Sequence, residues 1–165
     1  MKKKKQTKAD LYRYWGIPEK LIRGGGLKTL LRYKGMAGIY WYWLSRQIRY
    51  EEFVMFGGKC VSCPSILERW EDGDCGHFLA SGSGGFATRF MRENLAFQCK
   101  RCNNPSWSPS SPAFFAIEID KRWGTGTAEK ILNLKDVAQK EMEPEEYGVL
   151  ISALPSYKNR DILTT

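Results

Sequence analysis

The stretch that decides the fold runs from residue 60 to residue 103. It opens with CVSC (60–63), contains DCGH (74–77) and closes with CKRCN (99–103). Two residues between the cysteines of each pair let a tight turn aim both sulfurs at one ion, and two such pairs are typical of a closed structural zinc site. A redox dithiol is the alternative, but the βαβ context expected for it is missing. The predicted zinc ligands are Cys60, Cys63, Cys99 and Cys102.

The 35 residues between the two pairs contain the only histidine of the chain, His77. A neutral imidazole takes a proton from water near physiological pH, which is one requirement of phosphodiester hydrolysis. The carboxylate of Asp74 and the amide oxygen of Asn103 are hard ligands of the kind that Mg²⁺ or Mn²⁺ prefers. We therefore predict a hydrolytic site in which His77 takes the proton and Asp74 and Asn103 hold a catalytic cation.

Four further positions lie near His77 in sequence. Asn94 precedes a predicted strand, where Asn commonly bonds to the backbone, and we expect it to brace the loop that orients His77. Arg89 and Arg92 are candidates for contact with the scissile phosphate, and for Arg92 a solvated surface position is an equal alternative. Cys75 is open to interpretation as a fifth metal ligand or as a nucleophile paired with His77. We favour a small side chain on a strand, because four ligands are already present.

Charge is distributed unevenly along the chain. The formal net charge is +8; residues 1–50 carry 13 Lys or Arg against two acids, and the remainder carries 13 against 16. A basic half joined to a near-neutral core indicates an arm that binds a polyanion, and we favour nucleic acid. For the tetralysine at 2–5 alone, a solubilising tail is an equal interpretation. The other predicted DNA contacts are Arg46, Arg49, Lys100 and Arg101.

Hydrophobic spacing and helix breakers predict the secondary structure. The aromatic run 40–43 of the longest helix is expected to pack inside the protein rather than to stack on bases. The glycine-rich loop 81–88 lacks the pattern of a nucleotide-binding loop, so we exclude one. The predicted helices are 8–15, 27–34, 37–56, 112–123, 127–141 and 144–153, and the predicted strand is 95–98.

The sequence also bears on location. No apolar segment follows the N-terminal lysines, so no secretory signal is predicted. The apolar run 36–44 is about half the length that spans a bilayer. We therefore expect an intracellular protein without a membrane partner, in which five cysteines favour zinc over disulfides.

With these motifs in place, the chain resembles the HNH (ββα-metal) nucleases, and more closely the NinG/Rap family of phage recombination proteins. The resemblance covers about residues 43–135. Its order and spacing are specific. The motifs that carry it are WLS (43–45), IR (48–49), CVSC (60–63), DCGHF (74–78), TRF (88–90), ENLAFQC (93–99), CN (102–103) and RWG (122–124).

The resemblance implies an α+β fold. Its core would be a small ββα-metal (HNH, treble-clef-like) unit with a four-cysteine zinc site, flanked by N- and C-terminal helices. On this basis we predict three segments. They are a basic N-terminal arm with short helices (1–35), a zinc-stabilised nuclease domain with its leading helix (36–142), and a C-terminal helix with a tail (143–165).

The resemblance also implies roles for individual residues. His77 matches the general base, Asn94 the middle structural Asn, and Asn103 the last motif residue. In many HNH proteins the residue directly before the base is the metal-binding acid, whereas this chain has Gly76 there. Asp74 is therefore assigned by its proximity, and Asp72 is the alternative. A proline-rich loop at 105–112 replaces the Gly-Asn and Tyr that usually follow the last cysteine motif.

The predicted function is that of a DNA endonuclease, with structural Zn²⁺ and catalytic Mg²⁺ or Mn²⁺. The resemblance implies cleavage of branched recombination intermediates, such as Holliday junctions or D-loops, by a phage-encoded protein in the host cytoplasm. Resolving a four-way junction calls for two active sites, hence a homodimer, and other phage recombination proteins are further expected partners. The alternatives are a non-catalytic zinc module that binds nucleic acid, and a nicking enzyme or structural protein associated with phage DNA packaging.

Overall fold

A computed structural model describes residues 7–23, 33, 35–80, 85–104, 112–135, 137 and 140–159. The tetralysine and most of the predicted helix 27–34 lie outside these residues. The chain divides into two compact units, one of residues 1–47 with 142–165 and one of residues 48–141. These boundaries differ from the three segments predicted from the sequence, because the two ends of the chain belong to the same unit.

The described chain is a mixture of helices with a small two-stranded antiparallel sheet, as the predicted α+β class requires. Short 3₁₀ turns at Trp70–Asp72 and Arg92–Asn94 lead into the two strands. In chain order the elements are α1 (Lys8–Tyr14), α2 (Glu19–Arg23), α3 (Gly35–Phe56), β1 (Gly73–His77), α4 (Gly85–Arg89), β2 (Leu95–Cys99), α5 (Lys100–Asn103), α6 (Pro112–Trp123), α7 (Thr127–Asn133), α8 (Pro144–Ala153) and α9 (Pro155–Lys158).

Four of the predicted helices and the predicted strand are confirmed to within two residues: α1, α3, α6, α8 and β2. The prediction of a helix over 127–141 is wrong, because α7 ends at Asn133. Leu132 in the last turn of α7 and Val137 beyond its end are 48% and 40% exposed, so a longer helix would gain little from burying these apolar side chains. The strand expected at Cys75 is confirmed as β1, although its bounds were not predicted; its sequence, GDCGH, lacks the β-branched and aromatic residues that favour strands.

In the first unit the aromatic run of α3 is buried, so the packing interpretation is confirmed. Trp43 is fully buried, and its indole N–H donates to the Trp15 carbonyl at 3.0 Å. The hydroxyl of Ser156 donates to the Trp43 carbonyl at 2.8 Å, and Tyr157 meets the indole edge-on at 5.5 Å. None of the helices in the described ranges combines the length and the apolar character that crossing a membrane requires.

In the second unit β1 and β2 pair over five residues. Gly73 lies opposite Cys99, and the register continues to His77 opposite Leu95. All five residues of β2 are buried. An apolar core formed with α6 and α7 lies beside the strand and consists of Val61, Leu79, Ala96, Phe115, Ile119, Ala128 and Ile131.

Two glycines follow the end of α3 and direct the chain to the first cysteine pair. Gly57 and Gly58 adopt φ values of +60° and +73°, which only glycine adopts at little cost. A Cβ on Gly58 would collide with the Leu67 carbonyl oxygen, so the close approach excludes any side chain there.

Glu52 on α3 is a buried carboxylate that binds three donors of the second unit. Its Oε2 accepts from the Phe97 backbone N–H and from Arg122 at 2.6 and 2.8 Å, and its Oε1 accepts from Arg92 at 3.0 Å. Glu52 is 1% exposed, so these bonds operate away from water. The carboxylate thereby ties α3 to β2, to the turn before β2 and to the end of α6.

We predict that Glu52→Gln lowers the free energy of unfolding by about 3–5 kcal/mol, because two arginines keep their charge after their buried partner has lost its own. Chemical denaturation of the zinc-loaded protein measures the change. The matched control is Glu68→Gln, an exposed site at which we expect a change within about 0.5 kcal/mol. Equal stability of the two variants would contradict the role given to Glu52.

Candidate metal centre and active site

The four cysteines of the two pairs form one compact cluster. Their sulfur atoms all lie within 4.8 Å of one another, and Cys63 Sγ is 3.9 Å from Cys99 Sγ. Four sulfurs placed about 2.3 Å from a tetrahedral Zn²⁺ are about 3.8 Å apart, so the cluster has the size that zinc requires. The prediction that these side chains are placed to bind a metal ion is confirmed.

Backbone N–H groups aim the sulfurs. Ser62 N–H donates to Cys60 Sγ, and Cys102 N–H donates to Cys99 Sγ, both at 3.4 Å. The Cys99 N–H donates to Cys60 Sγ at 3.3 Å and so joins the two turns. Hydrogen bonds to sulfur favour the thiolate, which is the form that binds a metal.

The thiols of the cluster have very different proton affinities. Burial raises the pKa of Cys60 to about 11 and also raises the pKa of Cys102. At Cys63, desolvation is outweighed by hydrogen bonds from Ser65 and the neighbouring thiols, and the pKa falls to about 7. A divalent cation is the partner that makes such thiols ionise together, because its charge compensates all of them.

Cys75, the fifth cysteine, lies on β1 outside the cluster. Burial, and next the nearby Glu52 carboxylate, raises the pKa of its thiol to about 12. A thiol that keeps its proton at neutral pH is a poor nucleophile, and the Cys75 sulfur lies outside the group of four that could share one ion. The structure therefore favours the small strand side chain over both reactive interpretations.

The fold brings Asp74 and Asn103 into contact. Asn103 Nδ2 donates to Asp74 Oδ2 at 3.1 Å, from the last residue of α5 to the second residue of β1. Side chains alternate along a strand, so Asp74 points to the same face as Gly76. Asp72 is exposed in the preceding 3₁₀ turn. Of the two candidate acids, Asp74 is thus the one beside Asn103.

His77 ends β1, and its ring orientation is fixed by α4. Its Nε2 lies 3.0 Å from the Arg89 carbonyl oxygen. A carbonyl only accepts, so Nε2 carries the proton and the basic lone pair of the neutral ring is on Nδ1. Strand alternation puts His77 on the face opposite Asp74, and the side-chain hydrogen bond of Asp74 goes to Asn103 rather than to the imidazole.

Asn94 braces the loop that follows His77, in agreement with its predicted role. It is fully buried. Its Oδ1 accepts from Leu79 N–H at 2.7 Å, and its Nδ2 donates to the carbonyls of Leu79 and Thr88 at 3.0 and 2.9 Å. Asn94 thus joins the chain after His77 to helix α4, whose last residue holds the imidazole. It acts through other residues and touches no reacting group.

The predicted DNA-binding side chains have different environments. Arg92 pairs with Glu52 and donates to the Leu95 carbonyl, so neither phosphate contact nor a solvated surface position describes it. Arg49 donates to the Gly73 carbonyl. These two arginines hold the fold. Arg46 is half-buried and lies over the Tyr42 ring. Arg89 is half-buried, and its backbone carbonyl accepts the hydrogen bond from His77. Lys100 and Arg101 are exposed.

Gln98 is a polar residue that sequence reasoning missed. It is 4% exposed on β2, directly opposite Asp74, and its Nε2 donates to Ser62 Oγ at 2.7 Å. Its Oε1 occupies the space in which a Cβ on Gly76 would lie. The available signal was a glutamine within a strand, LAFQC, that is otherwise apolar.

Comparison of the chain with protein-family models, with curated proteins and with solved structures finds no match. The function is therefore inferred from the geometry of the site.

We predict that the purified protein contains one zinc ion per chain and that Cys60→Ser loses both the zinc and the near-ultraviolet dichroism of the folded second unit, because a site short of one thiolate does not hold the metal. Elemental analysis and circular dichroism measure these effects. The matched control is Cys75→Ala, which removes a buried thiol outside the cluster and is expected to keep the zinc. Loss of zinc in the control alone would contradict the assignment.

Proposed function

We propose that this chain is a metal-dependent DNA endonuclease of the HNH type. The observation that carries the proposal is the Asp74–Asn103 carboxylate–amide pair, held at 3.1 Å on the strand that ends in His77. The antiparallel strands followed directly by α5 agree with the order of a ββα-metal, treble-clef-like core. The cysteine cluster supports this arrangement, because it fixes the end of β2 from which α5 and Asn103 begin.

In the proposed reaction, His77 takes the proton of the attacking water, and the Arg89 carbonyl, 3.0 Å from Nε2, holds the imidazole ring in position. Asp74 and Asn103 are the residues that would hold Mg²⁺ or Mn²⁺, because carboxylate and amide oxygens are the ligands that these cations prefer. When bound, such a cation neutralises charge on the phosphate and stabilises the leaving oxygen. Lys100 and Arg101, exposed on the same short helix as Asn103, attract the DNA backbone.

The substrate we propose is branched DNA of a recombination intermediate, such as a Holliday junction or a D-loop. The support is the resemblance to the NinG/Rap phage proteins together with the excess of positive charge in residues 1–50. Cleavage of a junction on both sides requires two active sites, so the proposal includes a homodimer. From the resemblance, the proposal also includes a phage-encoded protein that acts in the host cytoplasm. A non-catalytic zinc module that binds nucleic acid is the competing function.

We predict that the zinc-loaded protein nicks DNA with Mg²⁺ or Mn²⁺ and that His77→Ala and Asp74→Ala each reduce the cleavage rate by about 10²–10⁴-fold, because one removes the base and the other a metal ligand. The control is Asp72→Ala, which removes an exposed acid two residues before Asp74 and is expected to cleave normally. Salt-sensitive DNA binding without any cleavage by the wild type would favour the non-catalytic module.

We predict a preference for branched over linear DNA. A panel of four-way junction, flap, single-stranded and duplex substrates of equal length measures it under single-turnover conditions. Equal cleavage rates on the junction and the duplex would be consistent with an endonuclease but would contradict the proposed branched substrate.

A further inference from the structure

Two side-chain oxygens meet over the backbone of Gly76. Oε1 of Gln98 fills the position that a Cβ on Gly76 would take, and Asn103 Oδ1 lies 3.3 Å from that same position. The space over Gly76, which a side chain at residue 76 would take, therefore holds Gln98 Oε1 with Asn103 Oδ1 beside it. A side chain at residue 76 would displace Gln98, so the two positions depend on each other.

Asp74 belongs to the same face. It is the direct cross-strand partner of Gln98 in the antiparallel register, which puts their Cβ atoms about 5 Å apart. Asp74 also accepts the hydrogen bond from Asn103 at 3.1 Å. One carboxylate and two amide side chains thus surround the space over Gly76.

The orientation of Gln98 directs its oxygen to this space. The amide Nε2 is used by Ser62 Oγ at 2.7 Å, and no donor among the described residues reaches Oε1. Gln98 is 96% buried, as its 4% exposure shows. An amide oxygen that lies beside a carboxylate and a second amide oxygen is a hard ligand of the kind that a divalent cation takes.

We infer that Gln98 is a third protein ligand of a divalent cation bound over Gly76 together with Asp74 and Asn103. The inference rests on the proposed catalytic metal of Asp74 and Asn103 and adds to it a ligand from β2. Three hard oxygens, one of them charged, suit Mg²⁺ or Mn²⁺, which complete their coordination with water and substrate oxygens. The thiolate cluster next to it suits zinc, so the two sites take different metals.

Direct titration of Mn²⁺ into the zinc-loaded protein, followed by electron paramagnetic resonance, tests the inference. Gln98→Leu removes the oxygen and is expected to weaken Mn²⁺ binding at least about tenfold. Gln98→Glu keeps an oxygen and adds charge, and is expected to bind Mn²⁺ at least about threefold more tightly than the wild type. Ser62→Ala removes the hydrogen bond of Gln98 but keeps the oxygen, and is expected to bind Mn²⁺ within about threefold of the wild type.

The Ser62→Ala variant distinguishes two roles of Gln98, that of a metal ligand and that of a structural support for the first cysteine turn. If Gln98 only supports the first cysteine turn, Ser62→Ala and Gln98→Leu weaken Mn²⁺ binding equally, and the inference is overturned. Wild-type-like binding by Gln98→Leu, or no Mn²⁺ binding by the wild type, also overturns it. If Gln98→Leu loses its zinc, the Gln98→Glu variant decides the question. Tighter Mn²⁺ binding by Gln98→Glu than by the wild type supports the inference, and unchanged or weaker Mn²⁺ binding rejects it.

Cleavage assays on the same samples keep this inference distinct from the proposed function. Mn²⁺ binding that depends on Gln98 in a protein that cuts no DNA would support the site and reject the nuclease. Cleavage that requires Asp74 but not Gln98 would support the nuclease and reject the third ligand.

Discussion

The four-sulfur cluster is the constraint on which the second unit depends. The N–H of Cys99 donates to the sulfur of Cys60, and the N–H of Val61 donates to the Phe97 carbonyl at 3.0 Å, so the first cysteine turn is fastened along the end of β2. The same end of β2 starts α5, because Cys99 is the residue that precedes this helix and its sulfur accepts the Cys102 N–H. A metal ion held by both turns would thereby fix Asn103, one residue beyond the last ligand. It would also stabilise α5, a helix of four residues that is too short to be stable by itself.

Glu52 is a second fixed point, and it works by a different kind of interaction. A buried carboxylate with two arginines contributes less net stability than its short distances suggest, because desolvation offsets most of the attraction. Its effect is on specificity of arrangement: no apolar side chain would accept the Phe97 N–H and bind Arg92 and Arg122 together. The position of β2 relative to α3 is therefore set by the hydrogen bonds and ion pairs of Glu52. The register of β1 against β2 is set by backbone pairing.

The sequence allowed the cysteine cluster and the long elements to be predicted, because CxxC spacing and the period of α3 are local signals. The other features depend on contacts between distant residues. Strand β1 forms because it pairs with β2. Helix α7 ends where its apolar side chains are exposed. Arg92 is held by an ion pair with Glu52, which lies 40 residues away in sequence. Gln98 was missed for the same reason: only the cross-strand register shows that its amide faces Asp74.

The small residues of β1 follow from the large residues of β2. The ring of Phe97 fills the place of a Cβ on Gly73, and the amide of Gln98 fills the place of a Cβ on Gly76, so a side chain at either position would have to displace its neighbour on β2. An acid directly before His77 would therefore move the Gln98 amide from its place. Because the side-chain period of a strand is two residues, an acid at residue 74 lies on the face that one at residue 76 would have used, and Asn103 contacts it there. Of the two acids before the only histidine, Asp74 lies within the strand and contacts Asn103, whereas Asp72 lies in the preceding 3₁₀ turn.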